Sequence, residues 1–276
     1  MQLDFAIGSE YSVVRLASMS SPIWGSHSQR ITLACVVATL ALSTPPSADT
    51  THAALAGFPR LVLWAWERPE DLRTLAPDLG VAFLAQTITA RDDGFSVEPR
   101  RQPLRVTTST PLVAVTRIEA GRSLSRPLSS PEARDFASLI ARTATRPQVI
   151  GVQIDFDATR SQRSFYRELL GNLRGRLGSR VPISMTALAS WCVDDRWLQG
   201  LPVDEIVPAL FRMGPTNQPF RDIGESGAWT DKECRRAIGT SLDEPVVQRS
   251  ANRRVYVFAP KPWTAASIAE ARRITP

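Results

Sequence analysis

Eight short apolar runs recur between residue 61 and the end of the chain: "LVLWAW" (61–66), "GVAFLAQTI" (80–88), "PLVAVTRIE" (111–119), "QVIGVQIDFD" (148–157), "PISMTAL" (182–188), "DEIVPALFRM" (204–213), "RRAIGTS" (235–241) and "RRVYVFAP" (253–260). Helix-like stretches follow several of them. "SPEARDFASLIARTATR" opens with Ser130 as a helix cap and Pro131 at the first helical position. "SQRSFYRELLGNLRGRLG" sets Tyr166, Leu170, Leu173 and Leu177 on one stripe and ends at Gly178. "WTAASIAEARR" closes the chain. Strands alternating with helices specify a parallel sheet, because parallel neighbours need a crossover between them. Eight such units predict a single-domain α/β fold, a (β/α)8 barrel of the TIM type over residues 57–276. The alternative, a doubly wound open sheet, wants apolar residues on both strand faces and a glycine-rich first turn.

The fourth run fits the barrel better. Strand side chains alternate with period 2, so Ile150, Val152, Ile154 and Phe156 share one face and Gln153, Asp155 and Asp157 the other. Unpaired carboxylates are costly to bury. A barrel resolves the conflict: the apolar face packs outward under helices, and the acidic face points into the lumen, where inward residues near the strand end form the floor of a site. Two irregular excursions, "ARDDGFSVEPRRQPLRV" (90–106), which reads as a β-hairpin, and "GPTNQPFRDIGESGAWTDKEC" (214–234), rise from the same end. Long loops of this kind are usually functional.

Upstream, "RITLACVVATLALS" (30–43) is a charge followed by an apolar run of signal-peptide length, too short to span a bilayer. "TPPSADTTHAALA" then offers small-residue cleavage positions between Ala48 and Ala56. Residues 1–56 therefore read as a signal peptide and leader, with Met19 as the candidate start. The chain is expected to be exported, to the periplasm or outside the cell, and to meet a membrane only through that signal. An uncleaved anchor and a lipoprotein are the alternatives; Cys35 lies too early in the run, with Thr32 in the position that a lipobox fills with an aliphatic residue. Cleavage leaves Cys192 and Cys234. An oxidising compartment permits their bond, but the barrel order places them toward opposite ends, which argues against it.

The formal charge of +6 comes almost wholly from arginine, scattered among acids, with Lys232 and Lys261 the only lysines. No basic-aromatic run accompanies it, so nucleic acid is not an expected partner. Both histidines, His27 and His52, precede the folded region. That removes the base of Ser-His-Asp and Cys-His catalysis and the ligands of HExxH zinc chemistry. No metal or cofactor is expected, and hydrolytic chemistry must run on carboxylates.

The strand ends supply them. The first strand ends in Trp64, Trp66 and Glu67, the second in Gln86, the third in Arg117 and Glu119, the fourth in Gln153, Asp155 and Asp157. Thr186 and Trp191 follow from the fifth, Arg212 from the sixth, Asp243 and Glu244 from the seventh, and Trp263 from the eighth. Such a mouth suits a polysaccharide or oligosaccharide, with indole faces stacking on sugar rings and polar groups taking hydroxyls. Glycoside hydrolysis uses two carboxyl groups. Asp157 and Glu244, on opposed strands, are the candidate proton donor and the base or nucleophile, with Asp155 raising the pKa of Asp157 by repulsion. Gln153, Trp66, Glu67, Gln86, Thr186, Trp191, Arg212, Asp243 and Trp263 would bind substrate. Each residue also has a structural reading: Asp155 held by Ser184 or Thr186, Asp157 capping the next helix, Asp243 and Glu244 solvated, the tryptophans in the core.

"VQIDFDATRSQRSFYRELLGNLR", "VPISMTALASWC" and "CRRAIGTSLDEP" together resemble a bacterial family of exported proteins defined by a domain of unknown function. The fourth strand is also similar to the Asp-x-Asp-x-Glu strand of chitinase-like (family 18) glycoside hydrolases, whose last acid is the proton donor; here the series reads Gln153, Asp155, Asp157. The resemblance implies a glycosidase-like barrel and places an Asp where that family has Glu. The expected function is an exported carbohydrate-active protein of glycoside-hydrolase type; the alternative is a non-catalytic polysaccharide-binding or envelope-associated barrel.

Overall fold

A computed structural model describes residues 55, 57–121, 124–193, 195–214, 218–246 and 252–275. The expected leader, with Met19, Cys35, His27 and His52, lies outside the described residues except for Leu55. In chain order the elements are β1 (Leu61–Ala65), β2 (Glu70–Asp71), β3 (Leu79–Arg91), β4 (Gly94–Pro99), β5 (Leu104–Arg105), β6 (Leu112–Glu119), α1 (Ser130–Thr143), β7 (Val149–Asp155), α2 (Arg163–Leu177), β8 (Ile183–Leu188), β9 (Glu205–Ala209), α3 (Gln218–Ser226), β10 (Ala237–Ser241), β11 (Arg254–Phe258) and α4 (Ala265–Arg273). Eight of the strands pair in parallel in the order β1-β3-β6-β7-β8-β9-β10-β11, and β1 pairs with both β3 and β11, so the sheet closes. This is the (β/α)8 barrel, and its eight strands are the eight apolar runs. The 90–106 excursion is a hairpin arm: β4 runs antiparallel to the end of β3.

Alternation sorts the apolar residues into two cores. Val62 and Trp64 of β1, Val113 and Val115 of β6, Val207 of β9 and Tyr256 of β11 fill the lumen, closed at one end by Phe58. The larger core lies between the strands and the helices, where Val152, Ile154 and Phe156 pack with Phe165, Leu169 and Leu170 of α2. Burying such a face contributes about 25 cal/mol per Å² of apolar surface and supplies most of the stability.

Two β-bulges break the parity expected from the sequence. Between β6 and β7 the register jumps from Leu112↔Val149 to Val113↔Gly151, so Ile150 has no place under a helix and is 41% exposed. In β3 a shift between Leu84 and Gln86 inserts one residue opposite β6. Leu84 pairs with the lumen-facing Val115, but Gln86 pairs with Thr116 and Ile88 with Ile118, whose side is the outer core. Gln86 is thereby turned out of the lumen, and its amide donates to Thr116 Oγ1 at 3.1 Å. A bulge adds an unpaired residue and re-aims everything beyond it.

Helix α1 starts one residue earlier than the sequence suggests. Ser129, not Ser130, is the cap: its backbone N–H donates to Glu132 Oε2 at 2.8 Å and its hydroxyl accepts from the Glu132 N–H. The Arg126 guanidinium grips the same carboxylate through both oxygens at 2.7 and 2.9 Å. These donors hold Glu132 well below its usual 4.5, at about 2, with the Arg126 bond the largest cause. Because the folded pKa is depressed, the stabilisation is present above pH 4.5 and is lost as the pH falls through 2. Denaturant titrations should lose about 3 kcal/mol between pH 6 and pH 2 through this group, and Glu132→Gln should remove that part of the acid sensitivity. Equal slopes for the two proteins would refute the assignment. At the other end of α2, Gly178 caps with φ 63°, as its position predicts.

Cys192 and Cys234 form a disulfide, with Cα atoms 5.9 Å apart. The expectation that barrel order separates them fails because neither residue lies in a strand. After β8 the chain makes a short 3-10 turn, Ala189–Cys192, and after α3 a second, Lys232–Arg235; both pack against β9, and the Asp231 N–H donates to the Cys192 carbonyl. These turns, with buried Trp229, cover a stretch of outer wall where a regular barrel would have a helix. The bond closes a sequence separation of 42 residues. Its loss in a Cys192→Ser, Cys234→Ser variant should cost about 2–4 kcal/mol by denaturant titration; an unchanged midpoint would count against a structural role.

Candidate active site

A cavity of about 560 Å³ opens at the C-terminal ends of the strands, the end where barrel loops build sites. Trp64 of β1, Trp66 just beyond it, and Val115 and Arg117 of β6 line one side, and Gln153, Asp155 and Asp157 run up the wall from β7. Thr186 and Leu188 of β8 come next, then Phe211 and Arg212 beyond β9, Phe220 of α3 and Phe258 of β11. Helix α3, inside the 214–234 excursion, thus walls the cavity as its length suggested.

The floor is a hydrogen-bonded chain. The Trp64 indole N–H donates to Gln153 Oε1 at 2.8 Å, the Gln153 amide donates to Ser184 Oγ at 3.1 Å, and Ser184 donates to Glu205 Oε2 at 3.2 Å. Glu205 also accepts from Tyr256 OH at 2.7 Å and pairs with Arg254. Gln153 is fully buried, so these bonds satisfy its amide and fix the Trp64 ring edge.

One pleat above, Asp155 Oδ1 accepts from Thr186 Oγ1 at 2.8 Å, and Oδ2 lies 3.7 Å from Arg117. Burial pushes the Asp155 carboxyl above its usual 3.8; the Thr186 bond and Arg117 pull it back, and Asp157 and Glu119 push it further up. Desolvation wins. Asp157, the next inward residue, is exposed in the cavity and makes no hydrogen bond or ion pair among the described residues. It does not cap the following helix: Thr159 caps the intervening turn, with Gln162 returning to its N–H. Asp155 therefore has the structural role foreseen for it at Thr186, and Asp157 has none. Trp66 lies partly open beside them, edge-on to Phe258 at 6.4 Å and under Arg117 at 5.9 Å.

Other residues proposed from the sequence lie elsewhere. Trp191 is 4% exposed and packs in the outer core, its ring 4.8 Å from Trp197. Trp263 is 5% exposed; its indole N–H donates to the Trp64 carbonyl and its backbone N–H to Glu70. Neither offers a face to a ligand, because the chain turns outward after β8 and β11. Glu67 is turned away to accept the backbone N–H groups of Arg101 and Gln102. Asp243 accepts from Ser241, and Glu244 accepts the Arg212 N–H at 3.0 Å. Neither Asp243 nor Glu244 is among the residues that line the cavity. Phe211 and Phe258, stacked at 5.7 Å and 5°, escaped the sequence reading. The alternation of β9 and β11 carried the signal: they continue the inward series Glu205, Val207, Ala209 and the inward position of Tyr256. Among the described residues no three His, Cys, Asp or Glu side chains converge to hold a metal ion.

No protein-family model matches the chain, and no curated protein matches it. Among solved structures it is similar to the chitinase domain of the spore coat protein CotE from Clostridium difficile, at 12% identity over 54% of this chain and 49% of that one, with a TM-score of 0.38. The chain spans about half the length of that structure. A family GH18 chitinase from Chromobacterium violaceum is 12% identical over 72% and 78% of the two chains, with a TM-score of 0.46. An endo-beta-N-acetylglucosaminidase from Cordyceps militaris is 8% identical over 82% and 92%, with a TM-score of 0.48. Likeness at this level carries no argument about chemistry. The barrel itself stands on its own closed strand order.

Proposed function

We propose that this chain is an exported carbohydrate-active protein of glycoside-hydrolase type, with its site in the β7 wall of the barrel mouth. The observation that carries the reading is Asp157, a carboxylate with no structural partner among the described residues, directly above a second, partly desolvated carboxylate and beside the open indole of Trp66. A 560 Å³ cavity suits a few sugar rings. Asp157 donates the proton to the glycosidic oxygen as its bond to the anomeric carbon breaks; water then adds to that carbon and returns a proton to Asp157. Asp155, about 6–7 Å lower along the strand, stays on the same side of the sugar and, when ionised, stabilises the positive charge that develops on it. Arg117 and Thr186 hold it in place. The Cys192–Cys234 bond supports export, since disulfides persist in oxidising compartments.

The acid limb of the rate profile then belongs to Asp155. Its pKa is raised, so activity that needs the ionised form is lost as the pH falls through a value above the ordinary 3.8. Asp155→Asn should abolish that limb. It should also hold its stability, because a raised folded pKa means that ionisation, not protonation, weakens the fold. A screen of glycosides and polysaccharides for new reducing ends tests the reading as a whole. A second reading, saccharide binding without cleavage, draws on the fact that both cavity acids come from one strand. Bound but uncleaved glycans would select it.

A further inference from the structure

Four charged side chains line the cavity, and three of them are mutually satisfied or placed in the proposed chemistry. Arg117 lies 3.7 Å from Asp155 and donates to Glu119 at 2.9 Å, and Asp157 is the proposed donor. Arg212 is different. Its guanidinium meets no carboxylate in an ion pair among the described residues and instead lies over the Phe258 ring, 4.9 Å from its centroid. Phe258 is itself stacked on Phe211, so the cation rests on a two-ring aromatic shelf facing the cavity. The backbone makes this placement: Arg212 has φ 56°, left-handed territory that a long side chain rarely adopts, and Glu244 Oε2 takes its N–H at 3.0 Å. Strain of this sort persists where the surroundings enforce it, and it accumulates at ligand sites.

Resting on the carbohydrate reading, we propose that the substrate is an acidic saccharide, and that Arg212 recognises the carboxylate of one of its uronic acid rings. A planar guanidinium presents paired donors that match a carboxylate fork, and its stacking on Phe258 leaves the edge, where the N–H groups lie, free to bind. Strand β9 stands two places from β7, about 10 Å around the barrel. The charged ring is therefore a neighbour of the ring at Asp157, and its carboxylate stays clear of the β7 acids.

The test is titration of a hyaluronan oligosaccharide (a uronic acid alternating with an uncharged ring), its methyl ester (the same rings without the charge) and a neutral chitooligosaccharide by calorimetry. Wild type should bind the free acid about tenfold more tightly than the ester, and the advantage should shrink with added salt. Arg212→Gly removes the side chain and also relieves the left-handed backbone, so its melting temperature should not fall. It should bind acid and ester alike. Arg212→Lys should keep only part of the preference. Equal affinity of wild type for acid and ester, with saccharide binding intact, overturns the inference and leaves the carbohydrate reading standing. An unaltered preference in Arg212→Gly also overturns it. No binding of any saccharide defeats both.

Discussion

Asp157→Asn is expected to lower glycan hydrolysis by about 10²–10⁴-fold in kcat, the usual worth of a positioned proton donor, with saccharide affinity nearly unchanged. The pattern follows from geometry. Asp157 is exposed at the cavity mouth and holds no helix, strand or neighbouring side chain by a hydrogen bond among the described residues. Its amide should therefore fold as the acid does. Asparagine keeps the volume and loses the transferable proton, so a loss confined to kcat identifies an interaction made only in the transition state. Substrates with good leaving groups need little protonation and should be spared most of the loss. Wild-type turnover by the asparagine variant on a natural glycan would refute the donor assignment. Equal losses on activated and natural substrates would assign Asp157 another part in the reaction.

Much of this site was legible because strand alternation is a strict geometric rule. The series Gln153, Asp155, Asp157 faces the lumen, and Val152, Ile154 and Phe156 face α2, as period 2 demands. Gln86 and Ile150 departed from the rule at β-bulges, which nothing in "GVAFLAQTI" or "QVIGV" announces; a bulge is a property of the pair of strands. Trp191, Trp263, Glu67 and Glu244 failed for a different reason. They follow their strands, and past the last paired residue the chain obeys turn geometry and local hydrogen bonds. The same limit hid the disulfide, since both cysteines sit in short turns whose course depends on how they cover the outer wall. Residues inside strands could be placed by arithmetic, while those beyond them depend on tertiary packing.

That contrast gives the lumen below the site particular weight. Glu205 is buried on β9, its side chain 2% exposed, and is bound by Arg254, Tyr256 and Ser184. Burial and the negative charge of Glu205 together push the Tyr256 hydroxyl well above its usual range, so it stays a donor. Arg254 in turn reaches the carbonyls of Pro59 at 3.0 Å and Leu55 at 2.8 Å, tying the segment before β1 to the barrel's closing strand. Glu205→Ala leaves that guanidinium, only 12% exposed, without its counter-charge, and strands the Tyr256 and Ser184 hydroxyls. Breaking one side of a buried pair costs about 3–5 kcal/mol, enough to unfold a marginal domain at growth temperature. The double replacement Glu205→Leu with Arg254→Met removes both charges and should recover most of the loss. A further consequence separates this from simple loosening of the core. Ser184 relays the order of Glu205 to Gln153 and so to the Trp64 ring at the cavity floor. Glu205→Gln, which keeps the volume, should shift the tryptophan fluorescence of the folded protein, and Trp64→Phe should abolish that shift. A stable Glu205→Ala, or a fluorescence shift that persists without Trp64, would refute the relay from barrel floor to site.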